Sequence, residues 1–260
     1  MRFFVAVDAE GLACVFGERG KSLNGGRDLE FAKQEATREA SAVARGLFTA
    51  GADEVVIWDN HNGSLNLRYD EIDERCLILG GVGDERRMSI IGEGYDGVVF
   101  LGYHAMEGTV DGILAHSYSS VTYQYMKVNG VEVGEMAIDG AIAGAAGVPV
   151  IMIGSDRAGC AEAERFFPWA HLVETKRGLG RNMALSKSPA RVQAELEQTA
   201  ARAAAALGEM KPFTFDSPVA YELRYQRADA AEAKSRGDRR FRRLDAFTVV
   251  AEGTSIDEFF

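Results

Sequence analysis

Phe3-Phe4-Val5-Ala6-Val7-Asp8-Ala9-Glu10-Gly11 is the stretch on which the fold turns. An apolar run rich in aromatic and β-branched residues reads as a buried strand. It ends on two carboxylates spaced i, i+2 and then a glycine. Isolated buried carboxylates are strongly penalised, so Asp8 and Glu10 belong at the strand's end, where the chain leaves the sheet. The figure recurs twice. Val55-Val56-Ile57-Trp58 runs into Asp59-Asn60-His61, and Val98-Val99-Phe100-Leu101-Gly102-Tyr103 runs into His104. Parallel strands would bring all three ends to one edge, where open α/β sheets place their sites. Carboxylates with imidazoles suit a borderline divalent ion such as zinc.

Outward from these strands, residues 11–26 read as a glycine-rich, solvent-exposed loop near the site. Gly20-Lys21-Ser22 resembles the end of a phosphate-binding loop, but Val15 stands where that pattern needs glycine. Residues 27–50 read as a helix, with Ala36, Ala40, Val43 and Leu47 on one stripe and Lys33, Glu35, Arg38 and Arg45 on the outer face. The Gly80–Gly83 segment marks a turn, and the charged run Asp84–Arg87 reads as solvated surface. Residues 119–133 alternate as a hairpin around Asn129-Gly130, a type I′ turn signal. His116 and Glu135 lie at its open ends, so the hairpin brings them together. The small residues Ala137, Gly140, Ala141, Gly144 and Ala145 predict a helix packed closely on a neighbouring backbone.

Val150–Gly154 reads as a fourth buried strand, with Asp156 capping a helix over 157–167. His171–Thr175 is a candidate fifth, and Ser188-Pro189 opens a long helix to Leu207. Alternation then replaces continuous apolarity. Val219, Tyr221, Leu223 and Tyr225 mark a half-buried strand, residues 228–236 a helix and Leu244–Ala251 a further strand. Ser255–Phe260 looks like the first turn of one more helix. The expected fold is α/β: a three-layer sandwich with a mostly parallel sheet over residues 1–168, carrying the metal site, plus a smaller α+β domain over 169–260.

The bulk composition is that of an ordinary globular protein, and the formal net charge of -10 argues against nucleic acid as a partner. No apolar run is long enough to span a membrane. The start lacks the basic residues and long apolar core of a signal peptide, so the expected location is cytoplasmic. Cys14, Cys76 and Cys160 form no C-x-x-C pair and read as buried free thiols.

Taken singly, each candidate also has a structural reading. A lone histidine at a strand end is more often hydrogen-bonded than a ligand. Asp8 could cap a turn, and Glu135 would be favoured by the helix it begins. Asp59 reads as a turn residue or as a carboxylate orienting an imidazole. Tyr103 reads as core, and His171 as structural. Together, three strand ends converging on one edge favour a metal site.

The ordered motifs Val7-Asp8-Ala9-Glu10-Gly11, Asp59-Asn60-His61, Leu101-Gly102-Tyr103-His104-Ala105, His116-Ser117 and Asn129-Gly130 through Gly134-Glu135 resemble those of the M55 metallopeptidases, the D-aminopeptidase family. The resemblance covers nearly the whole chain; Asn60 stands where a serine is familiar. It implies two zinc ions per chain: Asp8 bridging both, Glu10 and His61 completing one, His104 and Glu135 the other. His116 lies outside that ligand set, and the resemblance marks it as catalytic. A metal-bound hydroxide is the expected attacker, with His116 as proton shuttle or oxyanion donor. The resemblance further implies a homo-oligomer, a decamer, acting on short peptides. The competing readings are a dinuclear metal amidase or phosphoesterase on another small substrate and a non-catalytic peptide-binding protein. A phosphoesterase would place more basic residues near the metals, where Lys176, Arg177 and Arg181 are the candidates.

Overall fold

Continuous apolarity along a strand is what a sheet covered on both faces requires, and the first sheet is built that way. A computed structural model describes residues 1–64, 66–81 and 86–260. In chain order β1 is Arg2–Val7, β2 Glu54–Asp59, β3 Leu77–Leu79, β4 Gly97–Tyr103, β5 Tyr123–Val128 and β6 Val131–Glu132. Then come β7 Val150–Ser155, β8 His171–Glu174, β9 Lys176–Gly178, β10 Ala184–Ser186, β11 Val219–Tyr225, β12 Arg242–Arg243 and β13 Thr248–Gly253. The helices are α1 Leu29–Thr49, α2 Glu135–Ala145, α3 Arg157–Phe166, α4 Pro189–Ala205 and α5 Ala228–Gly237.

Six strands form the first sheet in the order β3-β2-β1-β4-β7-β8, and every pairing is parallel. Because side chains alternate across a strand, Phe3, Val5 and Val7 join one core with the α1 residues Ala36, Ala40, Val43 and Leu47 and the α4 residues Val192, Leu196 and Ala200. Phe4 and Ala6 join the opposite core with Met136, Ala137 and Ala141 of α2 and with Met126, Tyr221 and Val249 of the second sheet. That sheet is five-stranded and antiparallel, in the order β12-β13-β11-β5-β6.

The predicted α/β fold with a mostly parallel sheet is therefore present, the second sheet is antiparallel, and sheet membership crosses residue 168 in both directions. The hairpin β5–β6 joins the second sheet, while β8 is the edge of the first. Close packing of α2 is also found: a Cβ on Gly144 would lie 1.8 Å from the Phe213 carbonyl oxygen. No helix among the described residues is long and apolar enough to cross a membrane.

Several details differ from expectation. Of the residues expected on the outer face of α1, Arg38 is exposed and Lys33 and Arg45 partly so, but α4 packs beside Glu35, which is buried and accepts from Gln193 Nε2 at 2.8 Å. The loop after β1 is buried over Gly11–Ala13. The strand expected at 244–251 begins at Thr248, and β3 was not anticipated. Of the cysteines only Cys160 is fully buried, and all three are free thiols. The Gly80–Gly83 turn and the Asp84–Arg87 run lie partly outside the described residues; within the described part, Arg87 is paired with a buried aspartate rather than solvated.

Candidate metal centre

The register sets the first part of the site. Val7 lies opposite both Asp59 and Leu101, so β1, β2 and β4 end at one edge and deliver Asp8, His61 and His104 there. Two glycines let the ends of β1 and β4 close on each other. Gly11 donates to the Gly102 carbonyl at 2.7 Å and Asp8 N–H to Leu101 at 2.8 Å. A Cβ on Gly11 would sit 2.0 Å from Tyr103 O, and one on Gly102, whose φ is +72°, 2.2 Å from Asp8 O. Glu135 is the first residue of α2.

Asp8, Glu10, His61, His104 and Glu135 are all buried. Asp8 lies between the imidazoles: its Oδ1 is 2.8 Å from His61 Nδ1 and its Oδ2 3.5 Å from His104 Nε2. Glu10 Oε2 stands 3.2 Å from His61 Nδ1, and Glu135 Oε2 3.8 Å from His104 Nε2. The ring of His116 stacks on that of His104 with centroids 4.1 Å apart. Ligating atoms of Asp8, Glu10 and His104 lie within 4.8 Å of one another, as do those of His104, His116 and Glu135. The hairpin thus brings His116 and Glu135 together as expected.

The second nitrogen of each imidazole shows what the site accommodates. His104 Nδ1 donates to Ala105 O at 3.0 Å and His116 Nδ1 to Leu114 O at 2.8 Å, which leaves Nε2 of each as a lone pair. His61 is held the other way: Nε2 donates to Asn24 Oδ1 at 3.0 Å, so Nδ1 faces the carboxylates. A lone pair directed at carboxylate oxygens is repulsive unless a cation or a proton lies between them. Asp8 Oδ2, Glu10 Oε2 and His104 Nε2 are buried and have no hydrogen-bond partner among the described residues. A carboxylate–imidazole donor set with its outer nitrogens fixed by acceptors fits divalent zinc.

Protons take that place when metal is absent. Burial lowers the His61 pKa, but the charge of Glu10 and the bonds to Asp8 and Glu10 outweigh it and raise it to about 11. Burial likewise opposes charge on His104, yet Glu135, Asp8 and Glu10 raise it to about 9. Burial pushes Glu10 up, while the facing His61 pulls it well below the usual carboxylate range.

Two buried clusters hold the loops in place. Asp139, one turn along α2 from Glu135, accepts from Tyr103 Oη at 2.7 Å, Tyr118 Oη at 3.0 Å and Arg87 Nη2 at 2.7 Å. Tyr103 Oη in turn accepts from Asn60 Nδ2 at 3.0 Å. Asn60, Tyr103, Tyr118 and Asp139 each stand within four residues of a candidate site residue, so one carboxylate on α2 links the segments that carry them, Asn60 through Tyr103. In the second cluster, Lys176 Nζ donates to the carbonyls of Glu10, Leu12 and Val15, each at 2.6 Å. All three ammonium protons are used, so Lys176 braces the Glu10 loop and has none left for substrate. Burial lowers its pKa to about 8.

Asp59 does not touch an imidazole. It accepts from Asn66 N–H at 2.8 Å and Leu67 N–H at 3.0 Å, shaping the loop after His61. Sequence reasoning missed Asn24, Arg87 and Asp139. The i, i+4 spacing of Glu135 and Asp139, two carboxylates on one face of an apolar helix, was the available signal for the last.

The site opens into a cavity of about 400 Å³ whose lining includes Asp8, Glu10, His61, His116, Glu135 and Arg181. The D-aminopeptidase of Bacillus subtilis (strain 168) is 29% identical over 228 residues, covering 84% of this chain and 80% of that protein. A solved structure, described as the Zn-dependent D-aminopeptidase DppA from Bacillus subtilis, a self-compartmentalizing protease, superposes with a TM-score of 0.91 at 23% identity, covering 99% of this chain and 93% of that one. With the match running from residue 1 to residue 260, the chain belongs to the M55 peptidase family, D-aminopeptidase.

Proposed function

We propose that this chain is a zinc aminopeptidase that releases N-terminal D-residues from short peptides and holds two zinc ions. The observation that carries the metal reading is the aim of the imidazoles: each keeps one nitrogen on a fixed acceptor, and His61 and His104 turn the other onto carboxylates. The two oxygens of Asp8 each face a different histidine, which supports a bridging role. Asp8, Glu10 and His61 then hold one ion; Asp8, His104 and Glu135 hold the other. Bound zinc supplies a Lewis acid for the scissile carbonyl and makes water acidic enough to act near neutral pH. His116, with Nδ1 fixed on Leu114 and an Nε2 lone pair free, takes a proton from the attacking water and then passes it to the leaving amine, or in that protonated state donates to the carbonyl oxygen as it gains charge. The zinc dependence described for DppA and the activity named for the curated relative agree with this reading.

The same reading makes the protein a homo-oligomer, with the decamer as its expected form. Leu179, Met183 and Leu185, 49%, 65% and 63% exposed on the β9–β10 hairpin, offer an apolar surface for association.

The test is hydrolysis of D-Ala-D-Ala and L-Ala-L-Ala by the zinc-loaded protein, followed by alanine release. Cleavage of the D-dipeptide at the higher kcat/KM, abolished by a chelator and restored by zinc, is the expected result. Inactivity on both dipeptides would remove the aminopeptidase reading, and preference for the L-dipeptide would remove the D assignment.

A further inference from the structure

The cavity beside the metal centre is lined by several carboxylates and, among the described residues, by two arginines, Arg87 and Arg181. They are not equivalent. Arg87 is committed to the buried Asp139 through two hydrogen bonds. Arg181 is exposed, and among the described residues its one side-chain hydrogen bond is from Nη1 to the carbonyl of Ala115, the residue before His116. A guanidinium has five N–H donors in a planar fork, so that bond leaves an edge available.

Arg181 is also held firmly. Its carbonyl accepts from Leu114 N–H at 3.0 Å, and Leu114 O in turn accepts from His116 Nδ1 at 2.8 Å. The turn that carries Arg181 is closed by Leu179 N–H on Met183 O at 2.7 Å and tied to the loop after β1 by Asn182 Nδ2 on Phe16 O at 3.0 Å. Gly178 lets it lie against the preceding loop, since a Cβ there would meet Asp111 O at 1.8 Å. The guanidinium therefore has a fixed relation to His116.

We propose that Arg181 binds the C-terminal carboxylate of the short-peptide substrate. This inference rests on the aminopeptidase reading. An aminopeptidase substrate brings its amino end to the metals. In a short peptide the far end is a carboxylate only a few bonds away, in a cavity walled by Asp8, Glu10 and Glu135. With the three carboxylates engaged by the metals and Arg87 by Asp139, the lining cation not already paired with a carboxylate, among the described residues, is Arg181, and a planar guanidinium matches a carboxylate. The cavity volume, about 400 Å³, sits near the lower end of ligand-sized pockets and suits a peptide of that length.

The experiment compares D-Ala-D-Ala with its C-terminal amide on the zinc-loaded wild type, Arg181→Ala and Arg181→Lys. The readout is the acid-to-amide ratio of kcat/KM, which cancels any general loss transmitted through the loop before His116. A charge-assisted hydrogen bond of ordinary strength predicts a wild-type ratio of about 10- to 100-fold. The ratio falls toward one in Arg181→Ala and is intermediate in Arg181→Lys, which keeps the charge without the fork. A wild-type ratio near one overturns the proposal. So does an Arg181→Ala protein that loses activity on both substrates with the ratio intact, because Arg181 would then only hold the His116 loop. A wild type inactive on both substrates instead refutes the aminopeptidase reading and takes this inference with it.

Discussion

Replacing His116 with alanine separates proton handling from metal binding. The five carboxylate and imidazole groups assigned to zinc are Asp8, Glu10, His61, His104 and Glu135, and the substitution leaves all of them. It removes a ring fixed by Leu114 O at 2.8 Å and stacked on His104 at 4.1 Å. A stacked aromatic pair is worth about 0.5–1.5 kcal/mol, so the fold survives. General acid–base and oxyanion roles each contribute on the order of 10²- to 10³-fold, which is about 3–4 kcal/mol of barrier. The loss should fall on kcat more than on KM, because the interaction matters most as charge develops in the transition state. Steady-state kinetics on D-Ala-D-Ala, with zinc measured on the same preparation, provide the assay. Full zinc content with unchanged kcat would make His116 structural. Loss of zinc would make it a ligand, a role its position beside His104 and Glu135 permits, and would refute the assignment above.

Further outcomes follow from the same geometry. The His61 and His104 pKa values in the metal-free fold, about 11 and about 9, exceed the unfolded value of about 6.5. Their protons therefore stabilise the metal-free protein fully below about pH 6.5, and that contribution is lost as pH rises through the folded values. The metal-free Tm should fall from neutral pH toward about pH 10, and zinc titration near pH 7 should release protons, read by calorimetry in buffers of different ionisation enthalpy; a flat Tm and no release would remove the imidazolium picture. Asp139→Ala leaves Arg87 without its buried partner and should cost about 3–5 kcal/mol in urea unfolding; an effect under about 1 kcal/mol would mean that the network carries little stability. Gly144→Ala drives a methyl into the Phe213 carbonyl and should cost about 1–3 kcal/mol, whereas a neutral result would mean that α2 shifts freely. Light scattering should report an assembly many times the 28.2 kDa chain, and a monomer mass would overturn the oligomer.

What was legible in the sequence was whatever depends on neighbours along the chain. β1, β2 and β4 announced themselves by continuous apolarity, and a parallel arrangement of those strands was enough to place Asp8, His61 and His104 on one edge. The Asn129-Gly130 turn, with φ of 51° and 79°, likewise foretold that His116 and Glu135 would meet. What was not legible depends on partners far away in sequence. Arg87 reads as surface because it sits in a charged run, and only the fold supplies Asp139. Lys176 satisfies its charge on carbonyls at residues 10, 12 and 15, a kind of partner that side-chain patterns do not reveal. β5 looks like a hairpin arm until β11 pairs with it. β3 is three residues long and largely exposed, too short for periodicity to register.

The site's architecture explains why its supports are polar and buried. The residues proposed to hold the metals come from different elements, most of them just past a strand end, where no sheet ladder fixes them. Asp139 and Lys176 supply that constraint, each through three hydrogen bonds or more. Groups so placed are costly to leave unsatisfied, which couples the stability of the fold to the positioning of the proposed metal ligands.

Metal content tests the central claim most directly. Wild-type protein equilibrated with zinc, dialysed and subjected to elemental analysis should hold about two ions per chain, the number a two-metal hydrolytic site requires. Asp8→Ala should hold close to none, because Asp8 faces both histidines. A single ion in the wild type, or full zinc in Asp8→Ala, would contradict the bridged centre.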